Sequence, residues 1–254
     1  MKVTLVQADL KWEDPGVNRD CLHKLINSEK DTDLVIIPEM FTTGFTMRST
    51  DLAEDARGET LTWMHDIARK GDFGLAGSFI FREDKNYYNR LIFMKPDGSY
   101  SSYDKGHLFR MEKEDLYYQK GDNRLIEHFR GVNVNFQICY DLRFPVWSRN
   151  RDNEYDLLVY VANWPETRRK VWKTLLIARA IENQCFVAGV NRIGSDGKGI
   201  CYSGDSVVID PKGNKIAKVE PYSEGVTSVE ISIDYLNTFR QKFPAWKDAD
   251  NFSL

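Results

Sequence analysis

Histidine and cysteine are scarce in this sequence, four of each in 254 residues, and neither is arranged for a metal. Cys21, Cys139, Cys185 and Cys201 form no Cys-x-x-Cys pair and no zinc-like spacing, and no His-Glu-x-x-His run occurs. The expectation is free thiols in a reduced, cytoplasmic setting, with no structural metal and no cofactor. No Gly-x-Gly-x-x-Gly run follows the first strand pattern, which argues against a dinucleotide-binding fold. Positive charge is not in excess: 35 Lys and Arg stand against 38 Asp and Glu, a formal charge of -3. Nothing therefore draws the chain to nucleic acid or to an anionic membrane, and the partner to expect is a small molecule. No apolar run is long enough to cross a bilayer. The opening Met1 to Gln7 is too short and too alternating for a signal peptide.

What is present reads as α/β, and residues 1–254 read as a single domain without linker or repeat. Val3 to Ala8 and Asp33 to Ile37 are strands apolar on both faces, the pattern of a sheet covered on both sides. Asp14-Pro15 supplies an N-cap and a proline at the first helical position, with Val17, Cys21, Leu22 and Leu25 as the stripe of the helix. A second helix is predicted near Glu59 to Lys70, with Leu61, Met64 and Ala68 on one face and Gly71 as its stop. Phe73 to Phe81, Tyr87 to Lys95 and Ser99 to Tyr103 are strands, the last two joined by the turn Pro96-Asp97-Gly98. Val132 to Ile138 and Leu157 to Val161 follow. Val171, Leu175, Ala178 and Ile181 then form the stripe of a long helix ending near Gln184. Cys185 to Asn191, Ser206 to Asp210 and Val226 to Ile231 are further strands, with a turn at Pro211-Lys212-Gly213. Leu236, Phe239 and Phe243 suggest a last short helix and a docked tail.

Three residues at strand ends could carry chemistry. Cys139 closes the run Val134 to Ile138, where a turn and a helix start could stabilise a thiolate, with the Tyr140 N–H near a developing oxyanion. A free cysteine taken alone is more often a core residue, and Cys21 and Cys185 fit that description better. Glu39 follows the strand ending at Ile37 among apolar neighbours, which would raise its carboxyl pKa and suit a general base. Lys105 follows the strand ending at Tyr103 and could hold an oxyanion, although a single lysine is usually on the surface. His107 offers a rival Cys–His pairing, for which the sequence singles out no Asp or Asn partner. Nucleophile, base and oxyanion stabiliser together are the parts of an acyl-transfer site. A binding module that has lost catalysis is disfavoured, because every reactive type is present.

Pro38-Glu39-Met40-Phe41, Asp104-Lys105-Gly106-His107-Leu108-Phe109 and Ile138-Cys139-Tyr140-Asp141-Leu142-Arg143-Phe144-Pro145 resemble the three signature segments of the nitrilase superfamily of carbon–nitrogen hydrolases. Gly121-Asp122, Val161 to Pro165, Ala178 to Gln184 and Gly204 to Ser206 extend the resemblance over nearly the whole chain. It implies a four-layer α-β-β-α sandwich and a homodimer. It also implies a cysteine thioester mechanism, with Glu39 as base and acid, Lys105 as oxyanion stabiliser and Cys139 as nucleophile. A second glutamate before Gly121-Asp122 is implied too, with Glu114 the better match and Glu112 the fallback. Phe109-Arg110-Met111 and Ala-Asn-Trp-Pro are most similar to the omega-amidase branch. That branch implies a substrate such as 2-oxoglutaramate or 2-oxosuccinamate; a nitrilase or N-carbamoyl amidase is the alternative. A remote carboxylate calls for an arginine, and Arg143 and Arg110 each follow a catalytic segment closely enough to serve. A structural salt bridge is the competing role for Arg143. Trp164 is expected to form an apolar wall.

Overall fold

Alternating side chains along the central strands send one apolar set inward and another outward, and this parity builds the layers. The computed structural model describes residues 1–28 and 31–250. In chain order the strands are β1 (Lys2–Gln7), β2 (Leu34–Ile36), β3 (Gly74–Glu83), β4 (Asn86–Met94) and β5 (Tyr100–Asp104). After them come β6 (Leu125–Phe129), β7 (Val132–Ile138), β8 (Leu157–Ala162), β9 (Phe186–Asn191), β10 (Ile193–Ser195) and β11 (Cys201–Ser203). The last three are β12 (Val207–Ile209), β13 (Lys215–Lys218) and β14 (Gly225–Glu230). The longer helices are α1 (Pro15–Asn27), α3 (Glu59–Gly71), α5 (Arg169–Asn183) and α6 (Ile233–Lys242). Between them lie the single turns α2 (Ser49–Leu52) and α4 (Pro145–Ser148).

Two six-stranded mixed sheets result, ordered β14-β1-β2-β3-β4-β5 and β13-β12-β9-β8-β7-β6. Leu5, Ile36 and Phe93 of the first sheet meet Val134, Phe136 and Val159 of the second in one buried cluster. Phe93 and Phe136 stack with ring centroids 5.0 Å apart. Outside the first sheet, Leu22 and Ile26 of α1 and Leu61, Met64 and Ala68 of α3 pack on Val6, Val35 and Leu75. Outside the second, Trp172, Leu176 and Ala180 of α5 pack on Leu158, Tyr160 and Val187. The layers run helix, sheet, sheet, helix, as the sandwich expectation requires.

Two predicted helix faces need correction. In α1 the buried residues are Asn18, Leu22 and Ile26, while Val17 is exposed. Asn18 is turned inward because its amide bonds Lys11 N–H, Lys11 C=O and Thr42 C=O. In α5 the buried face is Trp172, Leu176, Arg179, Ala180 and Asn183, and Ile181 points outward. Polar groups set that rotation: Arg179 donates to Leu142 C=O at 2.6 Å and Trp172 Nε1 to Asp205 C=O at 3.3 Å. Asp14 and Pro15 do cap α1, with Asp14 Oδ1 accepting from Val17 N–H at 3.1 Å. The left-handed residue that ends α3 is Asp72, one beyond the glycine expected as its stop.

Candidate active site

Strands of common direction deliver four polar residues to one end of the sandwich. β2, β3 and β5 share a direction because β4 is antiparallel to both β3 and β5. In the second sheet β7 and β8 are parallel. Glu39 follows β2, Lys105 follows β5, Cys139 follows β7 and Asn163 follows β8.

Glu39 is 0% and Lys105 1% exposed, and Glu114 is equally buried. Glu39 Oε1 accepts from Lys105 Nζ at 2.9 Å and Asn89 Nδ2 at 2.7 Å, and Oε2 accepts from Asn163 N–H at 2.7 Å. Lys105 Nζ also donates to both oxygens of Glu114 at 3.0 Å. Glu114 Oε2 takes a further bond from Phe109 N–H at 2.5 Å. Ser78 Oγ, which accepts from Met40 N–H at 2.9 Å, donates to Asn89 Oδ1 at 2.8 Å. This chain fixes the Asn89 amide so that its nitrogen faces Glu39.

Buried ions of this kind are tolerated only when paired and hydrogen-bonded. Desolvation alone would push Lys105 down, but Glu114 and then Glu39 outweigh it and hold the ammonium charged well above the usual lysine range. Burial pushes the Glu114 carboxyl up, against the pull of Lys105. For the Cys139 thiol, burial and the Glu39 charge both raise the pKa, and Lys105 opposes them without prevailing. The expectation of a thiolate stabilised by a helix start is corrected here. Residues Cys139–Arg143 form a short 3-10 helix, not an α-helix, and burial with the Glu39 charge pushes the thiol up, away from a thiolate. Cys139 itself sits at φ 43°, a left-handed conformation unusual for a residue with a Cβ.

Asp141 ties this turn to the loop carrying Lys105. Its carboxylate accepts from Tyr103 OH at 2.7 Å, Ile138 N–H at 3.0 Å and His107 N–H at 2.9 Å, and lies 2.8 Å from His107 Nδ1. The His107 ring stacks on Phe144 with centroids 3.7 Å apart. His107 thus has an aspartate partner but does not line the pocket that Cys139 faces. The rival Cys–His arrangement is not the one formed.

That pocket is open to solvent at its mouth, with Glu39, Lys105 and Cys139 at its floor. Phe45, Phe109, Tyr140, Trp164 and Tyr202 form walls, and Arg143, Arg168 and Glu112 contribute the outer charge. The Arg143 guanidinium lies 5.2 Å from the Trp164 ring and that of Arg168 5.2 Å from the Phe109 ring. Among the described residues neither guanidinium has a carboxylate within salt-bridge distance. Arg110 is not part of the lining and is a correction to the sequence reading. It opens a 3-10 turn, its side chain is 86% exposed, and its nearest acid is Asp115 at 3.7 Å. No group of three His, Cys, Asp or Glu among the described residues is placed to hold a metal ion.

The carbon-nitrogen hydrolase family model matches residues 2–241. The chain belongs to this family. It is 44% identical to omega-amidase YafV of Escherichia coli K12, covering all of this chain and 98% of that one. It is 34% identical to a 2-oxoglutaramate amidase of Bacillus subtilis, over 97% of this chain and 96% of the other. A crystal structure of a CN-hydrolase superfamily protein from Xanthomonas campestris, with an arsenic adduct in its active site, superposes with a TM-score of 0.98. That protein is 44% identical over all of this chain and 98% of its own. The fold is the nitrilase-superfamily fold, with its two sheets flanked by helices.

Within this carbon–nitrogen hydrolase, three contributors had no role in the sequence reading. Asn89 lies inside β4 with no motif around it; an asparagine amid a strand is itself a depleted choice and was the available signal. Asn163 stood in the Ala-Asn-Trp-Pro run, but nothing in that run says that its N–H faces Glu39. Arg168 follows Pro165 by three residues, beyond the motif, and a 3-10 turn brings it back to the pocket.

Proposed function

We propose that this carbon–nitrogen hydrolase is an omega-amidase, cleaving the terminal amide of a short dicarboxylic monoamide such as 2-oxoglutaramate or 2-oxosuccinamate. The observation that carries the reading is the pairing of a buried Glu39–Lys105–Glu114 cluster beside Cys139 with two unpaired arginines at the mouth of the same pocket. The names of the relatives at 44% and 34% identity support the same substrate class.

A thiol pushed up by burial and by the Glu39 charge calls for a base, and Glu39 is at hand. Glu39 takes the Cys139 proton as the sulfur attacks the amide carbon, forming the C–S bond and a tetrahedral oxyanion. Lys105 can meet that charge because one of its hydrogens can serve both oxygens of Glu114, leaving another to turn to the substrate. The Tyr140 N–H is the second donor. Glu39 returns the proton to the nitrogen, the C–N bond breaks, and ammonia leaves a thioester. Water, deprotonated by Glu39, attacks the thioester; the C–S bond breaks, the acid leaves and the thiol is restored. Arg143 and Arg168 bind the remote carboxylate, and Trp164 and Phe109 hold their guanidinium planes.

We also propose a cytoplasmic homodimer, with which the four free thiols agree; light scattering on the purified protein tests the assembly. Ammonia release from a panel of 2-oxoglutaramate, glutamine, asparagine, aliphatic nitriles and N-carbamoyl amino acids tests the substrate. The oxo-acid monoamide is expected to lead by a wide margin. A nitrile or N-carbamoyl substrate in first place would reject the omega-amidase branch.

A further inference from the structure

Glu112 is the glutamate that the buried cluster leaves out. It is a carboxylate on the wall of a pocket whose outer charge is otherwise two guanidiniums, and the proposed substrate brings a carboxylate there. Left bare, it would cancel one arginine and repel the substrate. It is not bare: Lys198 Nζ lies 3.3 Å from Glu112 Oε2. Lys198 does not line the pocket. It stands at the tip of the β10–β11 hairpin, which lends Ile200 and Tyr202 to the wall.

The hairpin tip is built to hold that lysine in place. Asp196 Oδ1 accepts from the backbone N–H of Lys198 at 2.9 Å and of Ile200 at 3.0 Å. Asp196 Oδ2 accepts from Tyr202 OH at 2.9 Å, and Tyr202 in turn packs against the Arg192 guanidinium, 4.7 Å from its ring. The backbone that bears Lys198 is thus pinned to the pocket wall by a carboxylate of its own.

We infer that Lys198 is a specificity-determining residue that masks Glu112, keeping the pocket mouth net positive for a carboxylate-bearing amide. The inference rests on the omega-amidase reading. With Lys198 the three rim charges and their mask sum to plus two; without it they sum to plus one. The pair is partly exposed, at 40% and 35%, so the effect is a tuning of KM and not a switch.

KM for 2-oxoglutaramate and for the uncharged propionamide is measured in wild type, K198M, E112Q and the double variant, at low and high salt. K198M is expected to raise KM for 2-oxoglutaramate about two- to fivefold, and that for propionamide much less. E112Q is expected to move KM for 2-oxoglutaramate the opposite way, and the double variant to return close to wild type. Both shifts should shrink at high salt, since exposed charges are screened. A mere latch on the hairpin predicts otherwise: K198M and E112Q would then harm both substrates in the same direction. That outcome, or no charge-selective shift at all, overturns the inference. A wild-type enzyme indifferent to the carboxylate would overturn both the inference and the reading beneath it, and shows before any variant is compared.

Discussion

The floor and the mouth of the pocket use charge in opposite ways. At the floor, fully buried Lys105 bonds both Glu39 and Glu114, and Asn89, the Asn163 N–H and the Phe109 N–H fix the two carboxylates. At the mouth, Arg143 and Arg168 rest on aromatic faces with no carboxylate partner, and Glu112 shares a partly exposed contact with Lys198. Buried charges lose hydration and must be held by geometry, which also makes them rigid enough to meet a transition state. Charges left in contact with water cost little to keep unpaired and remain free to bind a substrate anion. The difference teaches that chemistry and recognition are separable here, and each can be attacked without the other.

The hardest break is at Cys139. C139A should fold normally and show no turnover, and intact-mass spectrometry with a slow substrate should find the acyl adduct only in the parent enzyme. An adduct on Cys21, Cys185 or Cys201 would overturn the assignment. Lys105→Met should slow the chemical step about a hundred- to a thousandfold, with a much smaller change in KM. It also leaves two buried carboxylates without their cation, so urea denaturation should show a loss of about 3–5 kcal/mol. Glu114→Gln should be milder in turnover, because Glu114 acts through Lys105. Near-normal turnover in the Lys105 variant would end the floor's claim to the chemistry.

Glu39→Gln separates two properties that usually travel together. Glu39 is the proposed base, so turnover should fall at least as far as in the Lys105 variant. Its charge, however, is second only to burial in pushing the thiol up. Removing it should bring the thiolate form to lower pH, and the pH profile of iodoacetamide alkylation should shift to the acid side even as activity disappears. A shift to the alkaline side would contradict the electrostatics of the floor.

The smallest effects belong to the mouth. Arg143→Ala and Arg168→Ala should each raise KM for 2-oxoglutaramate while leaving an uncharged amide nearly unaffected. Their cost in stability should stay within about 1 kcal/mol, since each guanidinium rests on an aromatic face and has no carboxylate partner. A large loss of stability in either variant would show that the arginine is structural and erase the contrast with the floor.

How far the sequence carried depended on whether a feature is local. The run Val132 to Ile138 matches β7 residue for residue, because an apolar alternation bounded by turn residues needs no tertiary information. Glu39, Lys105 and Cys139 were legible for a related reason: each follows a strand that its own neighbours define. The strand β6, the β10–β11 hairpin and β13 were not, since Leu125 to Phe129 and Lys215 to Lys218 are too polar or short to stand out. The face of α5 was misjudged because Arg179 and Asn183 turn inward toward carbonyls and amides of distant loops, a pairing that periodicity does not see. Arg110 and Arg168 exchanged places for the same reason. Which arginine reaches the pocket depends on how two 3-10 turns fold back.

One consequence follows from the split origin of the site. Asn89 lies in the first sheet and Glu39 and Lys105 follow strands of it, while Cys139 and Asn163 follow strands of the second. What keeps them in register is the greasy seam of Phe93 against Phe136, on whose border Cys139 packs, together with the Glu39–Asn163 and Tyr103–Asp141 bonds that cross between the halves. Turnover is therefore a gauge of docking between two halves. A slip of one sheet over the other by a fraction of an ångström would silence the enzyme while leaving every strand and helix intact. In a denaturant series the catalytic signal should fade before the far-ultraviolet circular dichroism does.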